Sequence, residues 1–150
     1  MRPAPTLGGV ITGDPMAALD RLLAATSRGE IDTICERHRV ELLGVFGSAV
    51  RHHYGHNARP PRDLDVAVSF AGSHRPILEL LDDLVAITDY DGIDLAVLDG
   101  ANPVLRAEAL TGIGLYERTG GAWATAQMAA LAERRDTAHL RRLDLQALAG

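Results

Sequence analysis

The eight residues Asp63–Phe70, DLDVAVSF, constrain this chain more than any other stretch. Apolar Leu64, Val66, Val68 and Phe70 alternate with Asp63, Asp65, Ala67 and Ser69, which reads as a β-strand because successive side chains point to opposite faces. The apolar alternation continues past Asp65, so that carboxylate lies inside the strand rather than beyond it. Two carboxylates on one face of one strand repel each other strongly. The segment Ile93–Leu98, IDLAVL, repeats the arrangement, with Asp94 opposite Ile93, Leu95 and Val97. Solvated acids at a sheet edge are one account of this pattern. The other is a cation site, since three acids on the solvated faces of two apolar strands need countercharge. Hard divalent ions such as Mg²⁺ take carboxylate oxygens together with substrate phosphates.

Upstream, Val40–Phe46 reads as a strand that ends at Gly47, and Ser48 opens a short helix over Ala49–His53. A glycine there lets an anion approach the backbone, and amides at a helix start carry partial positive charge. Gly-Ser before a helix is by itself an ordinary N-cap. Followed by Asp-x-Asp on the next strand and a third Asp later, it points to a phosphate held beside a metal.

The rest of the chain supplies strands separated by helices. Met1–Asp14, with two of the prolines, is expected to be a flexible lead-in, and 15–150 a single domain. Asp14-Pro15 starts a helix carrying Met16, Leu19, Leu22 and Leu23, and a second runs from about Gly29 to Arg39. Tyr54–Arg62 is a polar loop. Pro76–Asp89 is an amphipathic helix, Pro103 begins another, Ile113–Glu117 is a fourth strand, and a long helix spans about 122–148. This alternation predicts an α/β (α+β) domain with a small sheet flanked by helices; periodicity does not fix the strand order.

Composition excludes several classes. The net charge of −5 makes the chain a poor general binder of nucleic acid, and every basic side chain other than His is Arg, scattered rather than clustered. Cys35 is the only cysteine, so no intramolecular disulfide forms, and with His38 alone it does not make a zinc site; a half-buried structural role is expected. No stretch approaches the ~20 apolar residues of a membrane span, and no signal-like start is present, so a cytoplasmic location is expected.

Four blocks, GVFGSAVR, RDLDVAV, GIDLAVLD and PVLRAEALTGIGLYER, arrive in an order that resembles the minimal nucleotidyltransferases of the polymerase-beta-like superfamily. The resemblance covers about 44–118. It implies a small mixed sheet flanked by helices, with Gly47 and Ser48 holding a triphosphate. It also implies that Asp63, Asp65 and Asp94 bind two Mg²⁺ ions, and that Asp94 helps activate the attacking hydroxyl. ATP is the implied substrate, with AMP transferred and pyrophosphate released. Two departures stand out: fourteen residues separate Ser48 from Asp63, more than the family commonly has, and Arg62 occupies a position often held by a small hydroxyl residue. Within that loop, Arg51, Arg59 and Arg62 are placed to meet an anion, Arg51 and Arg62 foremost. His52, His53 and His56 read as residues of a solvated loop.

Little of the chain remains to build a private acceptor pocket, which favours an acceptor that is itself a protein. Minimal nucleotidyltransferases of this size resemble the antitoxin half of a two-component system whose partner is an all-helical HEPN ribonuclease toxin. The implied function is AMP transfer to a hydroxyl of that partner. The alternatives are a contact-only antitoxin with lapsed catalysis, or a small-molecule adenylyltransferase that self-associates. The last helix, with Trp123, Met128, Leu131, Leu140, Leu143, Leu145 and Leu148, is expected to pack on its own sheet, or else to dock on a partner or second copy. Its ERRDTAHLRR segment mixes both signs and reads as a solvated face.

Overall fold

The computed structural model describes residues 13–56 and 59–149, and side chains as far as Asp136. In chain order the elements are α1 (Pro15–Ser27), α2 (Glu30–Arg37), β1 (Val40–Phe46), α3 (Ser48–His53), β2 (Leu64–Phe70), α4 (Ile77–Thr88), β3 (Ile93–Val97), α5 (Pro103–Leu110), β4 (Ile113–Glu117) and α6 (Ala122–Ala149). Residues 1–12 of the expected 1–14 lead-in, and the apolar side chains of α6 beyond 136, lie outside this description.

The helix starts follow from local chemistry. Asp14 Oδ1 accepts from Met16 N at 3.0 Å and Asn102 Oδ1 from Leu105 N at 2.9 Å, each with proline at the next position. The sheet is mixed, in the order β3-β2-β1-β4. β1 sits in the middle, antiparallel to both β2 and β4, while β2 and β3 run parallel. A parallel pair needs a crossover, and α4 supplies it.

Each face of the sheet has its own core. On one face Leu43, Val45, Leu64, Val66 and Val68 pack with Leu19, Leu22, Ile31, Leu80 and Leu84 from α1, α2 and α4. Burying each such leucine or valine removes enough apolar surface to favour folding by ~1.5–3 kcal/mol. On the other face Leu42, Phe46, Ala67 and Leu98 meet Ala107, Leu110 and Ala130 from α5 and α6, with Trp123 and Leu131 partly buried beside them. This corrects one expectation. The acid-bearing face of β2 is covered in its middle, where α5 and α6 close over the fully buried Ala67, and stays partly open at Asp65 and Ser69.

The first part of α6 therefore packs on its own sheet, as expected. Its fit depends on two glycines. Gly44 and Gly114 are cross-strand neighbours on β1 and β4. A Cβ on Gly44 would strike the Trp123 ring and lie 2.7 Å from the Ile113 carbonyl, and one on Gly114 would lie 2.9 Å from the same indole. The bare backbone makes a slot for the ring. Met128, 71% exposed, points away from it. Cys35 is fully buried rather than half-buried, and burial pushes its thiol well above the usual range. His38 bonds instead to Asp83 Oδ2 at 2.6 Å, in a contact shared with Arg37, so Cys35 and His38 do not form a pair.

Candidate active site

β1 ends at Phe46, and Gly47 turns the chain into α3 with φ 79° and ψ −154°, a conformation open chiefly to glycine. Space demands the same residue. A Cβ on Gly47 would collide with Asp65 Oδ2, so the Asp65 carboxylate lies directly against the Gly47 turn. Strand register explains the meeting: Phe46 pairs with Asp65 across β1 and β2, and Asp65 pairs with Asp94 across β2 and β3. Three segments far apart in sequence thus converge at one end of the sheet.

Asp65 is half-buried, and its pKa is pushed up to about 6, first by burial and then by the charges of Asp94, Asp63 and Glu108; Arg51 acts in the opposite sense. One cation acts against three acids. Among the described residues no hydrogen bond reaches the Asp65 carboxylate. Asp63 stands one residue before β2, not on it, and its side chain, like that of Asp94, is exposed. Ser48, at the start of α3, is half-buried, and Arg51 lies one turn on, its N–H donating to the Gly47 carbonyl at 3.1 Å. Arg62 is exposed, and its guanidinium is not among the charges acting on Asp65. Exposed rings of His53, Tyr54 and His56 stack loosely, with centroids 5.2 Å and 6.2 Å apart, in keeping with a solvated loop.

Two residues at this corner escaped sequence reasoning. Glu108 reaches it from α5. Tyr90, 1% exposed, donates its O–H to the Arg62 carbonyl at 2.6 Å and so pins the backbone just before Asp63. A Cβ on Gly92 would collide with the same phenol, so that glycine too is fixed by contact. The only signal was an aromatic in DYDG, which period-two reading assigns to a turn.

Among the described residues no group of three or more His, Cys, Asp or Glu side chains is arranged to hold a metal ion as it stands. The donor set nevertheless suits one. Carboxylate oxygens are the ligands hard divalent cations take, and excess negative charge around half-buried Asp65 is what such a cation would neutralise.

No protein-family model matches the chain, and no curated protein matches it. Solved structures do. One is a crystal structure of a toxin–antitoxin with AMP-PNP, 20% identical over 81% of this chain and 98% of that one, with a TM-score of 0.58. Another is tri-AMPylated Shewanella oneidensis HEPN toxin in complex with MNT antitoxin, 19% identical over 85% of this chain and 99% of that one, also at 0.58. A third is an MntA–HpeT toxin–antitoxin mutant in which two aspartates with one residue between them are glutamates, 21% identical over 81% of this chain and 98% of that one, at 0.59. No helix among the described residues is long and apolar enough to cross a membrane. With its mixed four-stranded sheet and flanking helices matched over most of its length, the chain shares its fold with chains found in MNT–HEPN toxin–antitoxin complexes.

Proposed function

We propose that this protein is a Mg²⁺-dependent nucleotidyltransferase that moves AMP from ATP to a hydroxyl of a partner protein, and that the partner is a HEPN ribonuclease toxin it neutralises. The observation that carries the reading is the meeting of the Asp65 carboxylate with the Gly47 turn and with Asp94. The fold it shares with chains crystallised with AMP-PNP and with an AMPylated toxin supports it.

In this reading Gly47, Ser48 and Arg51 receive the triphosphate. Gly47 has no side chain to obstruct it, the Ser48 hydroxyl donates to it, and the Arg51 guanidinium offsets its charge. Arg62, exposed ahead of Asp63, is a further phosphate contact. Asp63, Asp65 and Asp94 would hold Mg²⁺, which when bound neutralises phosphate oxygens and developing charge. The acceptor oxygen forms a bond to the α-phosphorus, the bond from that phosphorus to the bridging oxygen breaks, and pyrophosphate leaves. Exposed Asp94 takes the hydroxyl proton. Because the Asp65 pKa is about 6, the carboxylate is mostly ionised at neutral pH and ready for a cation. The protein's share is positioning and charge complementarity.

Intact-mass measurement of the protein encoded beside it, after incubation with this protein, ATP and Mg²⁺, tests the reading. A gain in AMP units, absent when Asp63 and Asp65 are changed to Ala, is the expected result. Tight binding without mass gain would replace it with a contact-only antitoxin. Neither gain nor binding would overturn the partner assignment and turn attention to small-molecule acceptors.

A further inference from the structure

At the opposite end of β1 the charge is reversed. α2 stops at Arg37, His38 caps it, and Arg39 turns the chain with φ 54°. Glycine is the ordinary residue at such a left-handed helix end, because a Cβ there crowds the neighbouring carbonyl. This chain accepts that strain and places a guanidinium instead. The turn is fixed from behind: the Arg39 carbonyl accepts from Ala71 N at 2.8 Å. A second arginine comes alongside at the end of β4, where Arg118 N donates to the Glu41 carbonyl at 2.9 Å.

Between the two arginines lies a cavity of about 390 Å³, lined by Cys35, Glu36, Arg39, Val40, Tyr116 and Arg118. That volume falls in the range of small-molecule sites. Arg28, Arg37 and Arg106 each engage an acid, whereas neither guanidinium here makes a hydrogen bond or ion pair among the described residues. Burial raises the Tyr116 pKa, with the acids Glu36 and Asp32 acting in the same sense and Arg118 in the opposite one. The cavity is thus lined by two exposed arginines, the partly buried Tyr116 and one exposed acid, Glu36, with Asp32 near enough to act on Cys35 and Tyr116. Val40 and the protonated Cys35 thiol form an uncharged floor.

We propose that this cavity binds a phosphate monoester that also carries hydroxyl groups, with Arg39 and Arg118 on the phosphate and Glu36 accepting from a hydroxyl. Two guanidinium forks match the two charges and several oxygens of a phosphate. Glu36 selects against a bare anion, which would meet it with no donor to offer. The site lies at the far end of the sheet from Asp65 and needs no metal.

Calorimetric titration with ribose 5-phosphate in metal-free buffer tests this, with ribose and with acetate at matched ionic strength as comparisons. Wild-type protein should bind ribose 5-phosphate, and neither ribose nor acetate should give comparable heat. Arg39→Gly should weaken binding roughly tenfold or more without lowering Tm, since it removes a charged partner while relieving left-handed strain. Arg118→Gln should weaken it similarly; if that variant does not fold, Arg39→Gly decides alone. Asp65→Asn should bind as wild type does. Absence of binding, equal binding by Arg39→Gly, equal heat from acetate, or loss in Asp65→Asn would each overturn the proposal.

Discussion

Asp65, near the start of β2, and Glu117, at the end of β4, are carboxylates on the same sheet that the fold treats in opposite ways. Glu117 accepts from Gly121 N at 3.1 Å and from Trp123 N at 2.9 Å, and these two donors at the start of α6 hold its carboxyl below the usual range. Asp65 has burial and three neighbouring acids, with one arginine against them, and is pushed up. One carboxylate completes a helix end and contributes to the fold. The other stays charged at the fold's expense. A purely structural role would have provided Asp65 with donors as it did Glu117, so the difference separates an acid kept for a ligand from an acid kept for architecture.

The strongest way to break this contrast is Asp65→Asn. AMP transfer should fall about a thousandfold or more, the scale on which preorganised charge stabilisation acts, while the metal-free protein melts higher than wild type. A lower Tm in that variant would mean that Asp65 is structural after all. Gly47→Ala should follow, because it forces a Cβ into Asp65 and an alanine into a left-handed position. About a hundredfold loss of transfer and ~1–3 kcal/mol of stability, read by urea unfolding, are expected.

On the architectural side, Gly44→Ala should cost ~1–3 kcal/mol by overfilling the Trp123 slot, yet leave transfer per folded molecule near wild type. Glu117→Gln should lower Tm by a smaller amount through a weaker α6 start, again without a catalytic defect. The pH dependence sharpens the same contrast. The Asp65 pKa is raised from 3.8 to about 6, so its protonated form is favoured in the folded state. Its contribution is greatest below the unfolded value, declines between those two pH values, and is level above. Glu117, with a lowered pKa, contributes the opposite slope at lower pH. Subtracting the stability–pH curve of Asp65→Asn from that of wild type should leave a decline confined to roughly pH 4–6.

Much of this was legible in the chain. Period-two alternation identified β2 and β3 and assigned Asp65 and Asp94 to one kind of face, and the strands and helices of 13–136 fall within a few residues of where the pattern puts them. Alternation says which side chains share a face, but not what covers it. Ala67 therefore looked solvated until α5 and α6 closed over it. The contact between Asp65 and Gly47 depends on β1–β2 register, which no local pattern encodes. Tyr90, Glu108 and the Gly44–Gly114 slot were hidden for the same reason, since each acts across the sheet on residues distant in sequence. The αL conformation of Arg39 had no local signal either, because arginine is not the residue that such a position normally takes.

The acid corner is tested most directly by Mn²⁺ binding to the nucleotide-free protein, followed by the electron paramagnetic resonance signal of the free ion. Wild-type protein should remove free Mn²⁺ from solution in proportion to protein added, and Asp65→Asn and Asp94→Asn should leave it free. Equal uptake by wild type and both variants would contradict the assignment of these carboxylates to a metal–nucleotide site.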